Sequence, residues 1–292
     1  MAVRRISLPS ASAHPLVFAT SQLVRFAWIE SLSCVFPLII FGSLAVTDAV
    51  PLPLLPRYDW LLLIFLAAQL WMVRSGLESR DELKVITVFH LIGLALELFK
   101  VHHGSWSYPE DGYTRVAGVP LYAGFMYASV ASYLCQAWRR LDVGLVRWPP
   151  FILVVPLTAA IYLNFFTHHY WIDLRWWLAA LVLLVFRRAW VTFEVGDVRY
   201  RMPLALAFVL IGFFIWVAEN VATFFGAWQY PDQSQAWHVV HVGKVSSWLL
   251  LVIVSFLIVA TLKVVKAGQQ QAHALDDTSA VPGIEDVART VA

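Results

Sequence analysis

Residues 97–110 read Glu-Leu-Phe-Lys-Val-His-His-Gly-Ser-Trp-Ser-Tyr-Pro-Glu, and residues 219–232 read Glu-Asn-Val-Ala-Thr-Phe-Phe-Gly-Ala-Trp-Gln-Tyr-Pro-Asp. Both stretches fit one pattern, which is Glu, six residues, Gly-x-Trp-x-Tyr-Pro and an acidic residue, at a constant offset of 122. A pattern repeated without a gap indicates an internal duplication. We call these stretches the first and second motif, and we expect the functional site to lie where they meet.

The composition is that of an integral membrane protein. Of 292 residues, 60% are hydrophobic and only 14% are charged, and the mean hydropathy is +0.69. A chain with so little polar surface cannot be an ordinary soluble domain. The net charge of +2 gives no indication of a nucleic-acid partner. The expected partners are therefore membrane lipid and a hydrophobic small-molecule substrate, and the oligomeric state is left open.

Eight apolar segments predict an all-α, polytopic membrane protein with about eight transmembrane helices. The segments cover about 22–47, 59–73, 84–103, 118–138, 149–167, 172–190, 203–225 and 237–264. Residues 1–21 are predicted to be a cytoplasmic N-terminal tail, and the polar residues 267–292 a disordered C-terminal tail. The two copies of the duplication would occupy 22–138 and 139–266, with four helices in each.

Lys and Arg residues concentrate in alternate connections between these segments and in both terminal regions. The positive-inside rule then places both termini in the cytoplasm of a multi-pass protein of the inner (plasma) membrane. Because four helices return the chain to its starting side, the two repeats should share one orientation. We expect a pseudo-two-fold axis along the membrane normal, as in transporters with parallel repeats.

This topology places both motifs at the extracytoplasmic side, where six of the nine His residues also fall. Glu97 and Glu219 lie inside apolar helices, where a carboxyl group is costly and is treated as functional by default. Burial and mutual proximity favour keeping at least one of them protonated, as in a general acid. The predicted catalytic residues are Glu97, Glu219, His102, His103, His168, His169, His238, His241 and Lys244. His238, His241 and Lys244 would share one face of the eighth helix.

A second set of residues is predicted to bind the ligand around these groups: His90, Lys100, Trp106, Tyr108, Asn164, Asn220, Trp228 and Tyr230. The four aromatic residues of the motifs have an alternative interpretation as an interfacial aromatic belt. Gly104 and Gly226 would let the chain turn out of each helix, and Pro109 and Pro231 would stiffen the segment that follows.

A metal site is a further hypothesis. His168, His169, His238, His241 and Asp173 have side chains that bind Zn or Fe. The adjacent pairs do not follow the HxxxH and HxxHH spacing of membrane di-iron oxygenases. Interfacial histidines that only make hydrogen bonds are the alternative, so the cofactor is left as unknown, with Zn or Fe possible.

The motif residues resemble the bacterial membrane domain-of-unknown-function family numbered 817. The residues that carry this likeness are Glu97, 104–110, 118–121, 124–127, 164–168 and 219–231. The family resemblance implies no reaction. The chain is also similar, more weakly, to membrane lycopene cyclase domains and related carotenoid-processing proteins. That likeness implies that Glu97 and Glu219 protonate, or stabilise charge on, a polyene.

The sequence therefore favours an intramembrane enzyme that acts on a lipid or isoprenoid by Glu and His acid–base chemistry at the extracytoplasmic side. A transporter or small-molecule-binding membrane protein is the first alternative, because parallel repeats around a polar pocket suit that role too. A His-ligated, metal-dependent membrane hydrolase or oxidase is the second.

Overall fold

The computed structural model describes residues 15–241, 250 and 253–260. Its helices lie within the predicted apolar segments or overlap them. They are α1 (Pro15–Ser33), α2 (Val35–Ala49), α3 (Arg57–Arg74), α4 (Arg80–His102), α5 (Ala123–Arg140), α6 (Phe151–Thr167), α7 (Arg175–Phe186) and α8 (Leu204–Phe224). Residues 253–260 are also helical. The protein is thus mostly helical, as predicted.

The prediction of an all-α chain was wrong in one respect, because two small sheets accompany the helices. Strands β1 (Arg115–Val116) and β2 (Val119–Pro120) form a hairpin before α5. Strands β3 (Gly144–Val146), β4 (Trp190–Val195) and β5 (Val198–Pro203) form an antiparallel sheet in the order β3-β4-β5. The β4–β5 turn is Gly196-Asp197, and Gly196 has φ +63°, as the first central residue of a type II′ turn requires.

Three segment boundaries also differ from the prediction. The segment 118–138 begins with the β1–β2 hairpin, and its helix starts only at Ala123. The segment 172–190 is helical only to Phe186, because the chain then enters β4. Residues 237–241 are not helical, so His238 and His241 do not share a helical face. Lys244, the tail 1–14 and the tail 267–292 lie outside the described residues, whereas residues 15–21 already belong to α1.

Among the described residues, α4 and α8 are long and apolar enough to cross a membrane. The pair α1 and α2 counts as a third candidate span if the two are taken together across their 69° bend. Helices α6 and α7 are apolar but shorter. Helices α4 and α8, each long enough by itself, are the helices that lead into the first and the second motif.

The bend between α1 and α2 has an identifiable cause in Pro37. Proline has no N–H to donate four residues back, and its ring clashes with the carbonyl there, which belongs to Ser33. Helix α1 ends at Ser33, and α2 resumes at Val35 after the linking residue Cys34. The predicted single segment 22–47 is therefore two helices.

Helices α4 and α8 end in the same way, and a glycine is required at both ends. Gly104 has φ +65° and Gly226 has φ +66°, a left-handed conformation that costs residues with a Cβ atom free energy. The Ser105 N–H donates to the Lys100 carbonyl, and the Ala227 N–H donates to the Ala222 carbonyl, each at 3.0 Å. This is the six-to-one bond of a Schellman motif. The predicted role of both glycines is confirmed.

Helices α4 and α5 pack closely because glycines remove side chains from their seam. A Cβ atom on Gly93 would lie 2.4 Å from the ring of Tyr127. A Cβ atom on Gly124 would lie 2.7 Å from the backbone oxygen of His90. The absence of both side chains lets Tyr127 reach along α4 toward the first motif.

Candidate functional site

The two motifs contact each other directly. Ser107 and Gln229 form an antiparallel bridge in which each backbone N–H donates to the other's carbonyl at 2.9 Å. These residues hold equivalent positions, between the Trp and the Tyr of each motif. The rings of Trp106 and Tyr230 also meet edge to face, with centroids 6.0 Å apart. The expectation that the motifs meet is confirmed.

Glu97 is buried and is enclosed by three hydrogen-bond donors. Its Oε2 accepts from the Trp106 indole at 2.6 Å and from the Tyr108 hydroxyl at 2.7 Å, and its Oε1 accepts from the Tyr127 hydroxyl at 2.8 Å. Two of these donors come from the first motif itself. The burial of Tyr108 and the charge of Glu97 raise the pKa of Tyr108, so its hydroxyl stays a donor. The spacing of Glu, Trp and Tyr in the motif therefore lets its own aromatic side chains donate hydrogen bonds to its buried carboxylate.

Glu219 repeats part of this arrangement. The Tyr230 hydroxyl donates to Glu219 Oε1, as Tyr108 does to Glu97. Trp228 hydrogen-bonds the side chain of Tyr230, and both aromatic side chains are buried. Burial and the nearby Glu219 raise the pKa of Tyr230. The motif aromatics thus lie in the core beside their carboxylates, which an interfacial aromatic belt would not produce.

Arg57, at the start of α3, contacts both motifs. Its Nη1 lies 2.5 Å from Glu110 Oε1 at the end of the first motif, and its Nη2 donates at 2.5 Å to the carbonyl of Phe225, in the middle of the second motif. It also donates to the Leu44 carbonyl and to Thr47 of α2, both at 3.0 Å. A planar guanidinium has the fork of donors that such multiple contacts need.

A polar cluster lies beside the first motif, and we call Lys100, His103, His168, His169 and Tyr170 the lysine–histidine cluster. The Lys100 ammonium is buried, donates to the Phe165 carbonyl at 3.0 Å and lies 2.9 Å from His169 Nε2. His103 Nδ1 bonds the Phe99 carbonyl at 2.8 Å, and its Nε2 bonds the Tyr170 hydroxyl. The rings of His103 and His169 are stacked at 5.3 Å.

The electrostatics of this cluster favour the neutral form of two of its histidines, His168 and His169. Burial, followed by the Lys100 charge, lowers the pKa of His169 from 6.5 to about 4. The same two causes, in the same order, lower the pKa of His168. Because Lys100 can only donate, His169 Nε2 accepts and its proton lies on Nδ1. Both imidazoles are therefore unprotonated at neutral pH, and each keeps one ring nitrogen as a hydrogen-bond acceptor.

His168 lines a shallow cleft together with Asn164 and Arg175. Its Nδ1 bonds the Asn164 carbonyl at 3.0 Å, so the proton lies on Nδ1 and Nε2 is an acceptor. The Asn164 side chain accepts from the Leu174 N–H at 2.9 Å and lies 3.4 Å from Asp173. The other cleft residues are Ile161, Tyr162, Phe165, Leu250 and Val254. The cleft thus joins one imidazole base and one guanidinium to an apolar wall.

Other predicted site residues lie elsewhere. His238 and His241 are exposed in the stretch after the second motif, and His102 is exposed beside His103. Asn220 accepts from the Val240 N–H at 2.8 Å, so it supports that stretch. His90 packs against Phe125 in the α4–α5 seam. The predicted catalytic set is therefore divided between separate regions of the structure.

Two of the predicted metal ligands are neighbours, and a third lies nearby. His168 and His169 are neighbours, with ring centroids 4.1 Å apart, and Asp173 lies near Asn164. Over residues 15–241, 250 and 253–260, no group of three or more His, Cys, Asp or Glu side chains is arranged to hold a metal ion. Binding of Zn or Fe stays a prediction.

Comparison with known proteins gives the family. Residues 22–256 match DUF817, described as a protein family of unknown function. The chain belongs to this family. It is also 70% identical over 260 residues to the uncharacterized protein YoaT of Bacillus subtilis (strain 168), which covers 89% of this chain and 98% of YoaT. No solved structure matches. The comparisons give no support to the likeness to lycopene cyclase domains.

Sequence reasoning missed several residues that complete the site. Tyr127 was quoted only as part of the family pattern, yet it supplies the third donor to Glu97. The signal for it was Gly93, one helical turn before Glu97, which makes room for an aromatic side chain of the next helix. Arg57 belongs to neither motif and to none of the predicted site residues, although it contacts both motifs.

Proposed function

We propose that this protein is a multi-pass enzyme of the inner (plasma) membrane that acts on a lipid or isoprenoid at its extracytoplasmic end. The observation that carries the proposal is His168, a neutral imidazole whose Nε2 is an acceptor and which lines a cleft with both polar and apolar walls. An imidazole held in one tautomer by a backbone carbonyl is the usual form of a general base.

The chemistry divides between His168 and its neighbours. His168 would take a proton from the substrate or from a water at Nε2, while Arg175 and Lys100 stabilise the negative charge that develops. Lys100 reaches His168 electrostatically and lies against His169 at 2.9 Å. The lysine–histidine cluster thus supplies one base and a positive field in a site partly shielded from water, where charges act more strongly.

Glu97 and Glu219 are better suited to positioning than to proton transfer. Three donors point at the two oxygens of Glu97, so this side chain is held in place as an acceptor of hydrogen bonds. We therefore assign both carboxylates to holding the motifs in place, rather than to the acid–base role expected from sequence. In this arrangement the motifs stabilise the part of the structure next to the lysine–histidine cluster.

The membrane architecture that we propose is eight spans in two parallel four-helix repeats, with both termini in the cytoplasm. The bridge between Ser107 and Gln229 supports it, because a two-fold axis brings equivalent residues together. The matching ends of α4 and α8, at Gly104 and Gly226, support it as well. Cysteine labelling of single exposed positions in whole cells tests it: extracytoplasmic labelling of residue 197 would contradict the topology.

The enzymatic proposal is tested with lipid extracts of bacterial cells that express the wild type, His168→Gln, or an empty vector. We expect mass spectrometry to show a lipid change in wild-type cells that His168→Gln abolishes. Arg199→Gln, in the β-sheet away from the cleft, is the control and should behave as the wild type. Identical extracts from all cells that contain equal amounts of folded protein would contradict an enzyme.

One observation favours the transporter alternative. Glu78 is buried at the other end of α4 from Glu97, and it accepts hydrogen bonds from Gln69 and Ser132. A transporter needs polar groups on both sides of the membrane, and Glu78 supplies one toward the predicted cytoplasmic side. Uptake of a labelled substrate into proteoliposomes, reduced by Glu78→Gln but not by His168→Gln, would favour transport over catalysis.

A further inference from the structure

We propose that residues 170–177 lie in the extracytoplasmic leaflet and deliver to the cleft an amphiphile that carries an oxyanion, phosphate or carboxylate, on an apolar chain. This inference rests on the proposed function, because it names the substrate class for the same cleft. It adds that the substrate enters the cleft from a segment inserted in the membrane, and that the substrate's headgroup is negatively charged.

The segment 170–177 exposes an unusual amount of aromatic surface. Trp171 is 78% exposed, Trp176 68% and Trp177 76%, and Tyr170 and Ile172 are similarly exposed. Tryptophan and tyrosine place a flat apolar body and one polar tip at the boundary of lipid and water. A run of such side chains next to the cleft indicates contact with lipid at headgroup depth.

The lengths of the flanking helices place the segment within the leaflet. Helix α7 has 12 residues and α6 has 17, so they reach about 18 Å and about 26 Å at 1.5 Å per residue. The hydrocarbon core of a bilayer is about 30 Å thick. A hairpin of these helices does not carry its turn clear of the far side, so the turn residues stay among the lipid chains and headgroups.

The charge of the cleft determines the headgroup. The charged groups that act on His168 are Lys100, Arg175 and Asp173, which sum to one positive charge. Asp173 lies against Arg175, and Arg175 still lines the cleft. Arginine binds carboxylate and phosphate oxygens through its fork of donors. An anionic headgroup would therefore be stabilised there, and a zwitterionic or neutral one much less.

The shape of the cleft is consistent with the end of a headgroup and the start of a chain. The cleft is small, with a volume of about 20 Å³, which is room for roughly one water-sized group. Apolar residues continue the wall beyond the polar end, through Ile161, Leu250 and Val254. One oxygen-bearing group would occupy the cleft, while the chain would lie along this wall and out into the leaflet.

The test is lipid retention by the purified protein, measured by native mass spectrometry with dioleoyl phosphatidic acid, oleic acid or dioleoyl phosphatidylcholine. We expect both anionic lipids to be retained about tenfold more than phosphatidylcholine, which corresponds to about 1.4 kcal/mol. Arg175→Gln should abolish this preference and Arg175→Lys should restore part of it. Arg199→Gln is the charge-matched control and should not change it.

A second arm tests the entrance. The double substitution of Trp176 and Trp177 by Ala should reduce retention of all three lipids in nanodiscs, while the thermal midpoint stays near that of the wild type. Equal retention of phosphatidic acid and phosphatidylcholine by the wild type would overturn the headgroup assignment. Displacement of the lipid by millimolar inorganic phosphate would show that the acyl chain contributes nothing to binding. It would overturn the inference that the bound anion belongs to a lipid.

The outcome for His168→Gln separates the two proposals. Retention of anionic lipid together with loss of the lipid change in cells supports both. If wild-type protein retains anionic lipid but changes no lipid in cells, the proposed enzyme is wrong and the binding inference stands. If a lipid change in cells depends on His168 but Arg175→Gln retains the same lipids as the wild type, the headgroup inference fails and the proposed enzyme stands.

Discussion

Ser107 and Gln229 occupy the same position in the two motifs, and each donates its backbone N–H to the carbonyl of the other at 2.9 Å. Around this bridge, each buried carboxylate accepts the hydroxyl of the tyrosine in its own motif. The repeated pattern in the sequence is therefore a repeated hydrogen-bond arrangement, closed across the middle by the backbone.

Removing the Glu97 carboxylate should strongly destabilise the protein. Glu97→Ala leaves the donors of Trp106, Tyr108 and Tyr127 buried without their acceptor, at about 1–3 kcal/mol for each donor. We expect a total loss of roughly 3 kcal/mol or more, whereas Tyr127→Phe should cost about 1 kcal/mol. Thermal unfolding in detergent measures both. Glu194→Ala, on the half-exposed β4, is the control. An equal loss of stability in that variant would argue against a special contribution from the three hydrogen bonds to Glu97.

Gly93→Ala should destabilise the α4–α5 pair. The new Cβ atom would lie 2.4 Å from the ring of Tyr127, which must move away from Glu97. Overpacking of this kind costs about 1–3 kcal/mol. Gly42→Ala in α2 is a matched control, because nothing lies within 4 Å of its Cβ position. Alanine there should be neutral or stabilise by up to about 1 kcal/mol. Similar melting temperatures for the two variants would refute the close approach.

Alanine at the two helix-ending glycines should separate backbone strain from contact. Gly104 and Gly226 have the same φ, so each substitution should cost about 1–2 kcal/mol from the backbone alone. A Cβ atom at Gly104 meets nothing within 4 Å, but at Gly226 it lies 3.3 Å from Arg57. Gly226→Ala should therefore lower the melting temperature further. A lower melting temperature for Gly104→Ala than for Gly226→Ala would mean that Arg57 does not contact the second motif closely.

The stability of the protein should fall as the pH decreases from about 6.5 toward 4, in part because of His169. Its pKa is about 4 in the folded protein, against an ordinary value of 6.5. In that pH window the unfolded chain binds a proton that the folded chain does not, so acid favours unfolding. His169→Gln should make the melting temperature less dependent on pH there. Thr167→Val controls for the local change, and an unchanged slope in His169→Gln would contradict the depressed pKa.

Local signals in the sequence were sufficient for the helices and for their contact at the motifs. The apolar runs located the helices, because a run of apolar residues has few other uses, and Gly104 and Gly226 marked two helix ends correctly. The sheet was missed because Trp190–Val195 and Val198–Pro203 lie almost wholly in the connection between two apolar segments, which an assignment based on apolar runs leaves without structure. Its signal was the Gly196-Asp197 pair between alternating residues, as in Phe193, Glu194, Arg199 and Tyr200.

The site was only partly predictable, because its contacts depend on packing between distant segments. The cost of an intramembrane carboxylate indicates Glu97, and the extracytoplasmic grouping of histidines indicates His169. The direct contact of Lys100 with His169 at 2.9 Å depends on how α4 lies against the end of α6, which no local pattern encodes. His238 and His241 share only their predicted depth with the other histidines, and the non-helical residues 234–241 remove the basis for a shared helical face.

The hydrogen bonds of Glu97 also imply an order of assembly during synthesis. All of its donors come from residues 106–127, so the first carboxylate can be fully paired before the second motif has been made. The bridge to Gln229 must wait for the rest of the chain, as must the Phe225 carbonyl that Arg57 contacts. A chain interrupted before residue 219 would hold a closed first half whose Ser107 backbone has no partner strand. We expect such a truncated or slowly made chain to expose these unpaired backbone groups, and therefore to be cleaved by quality-control proteases more readily than a chain in which the bridge has formed.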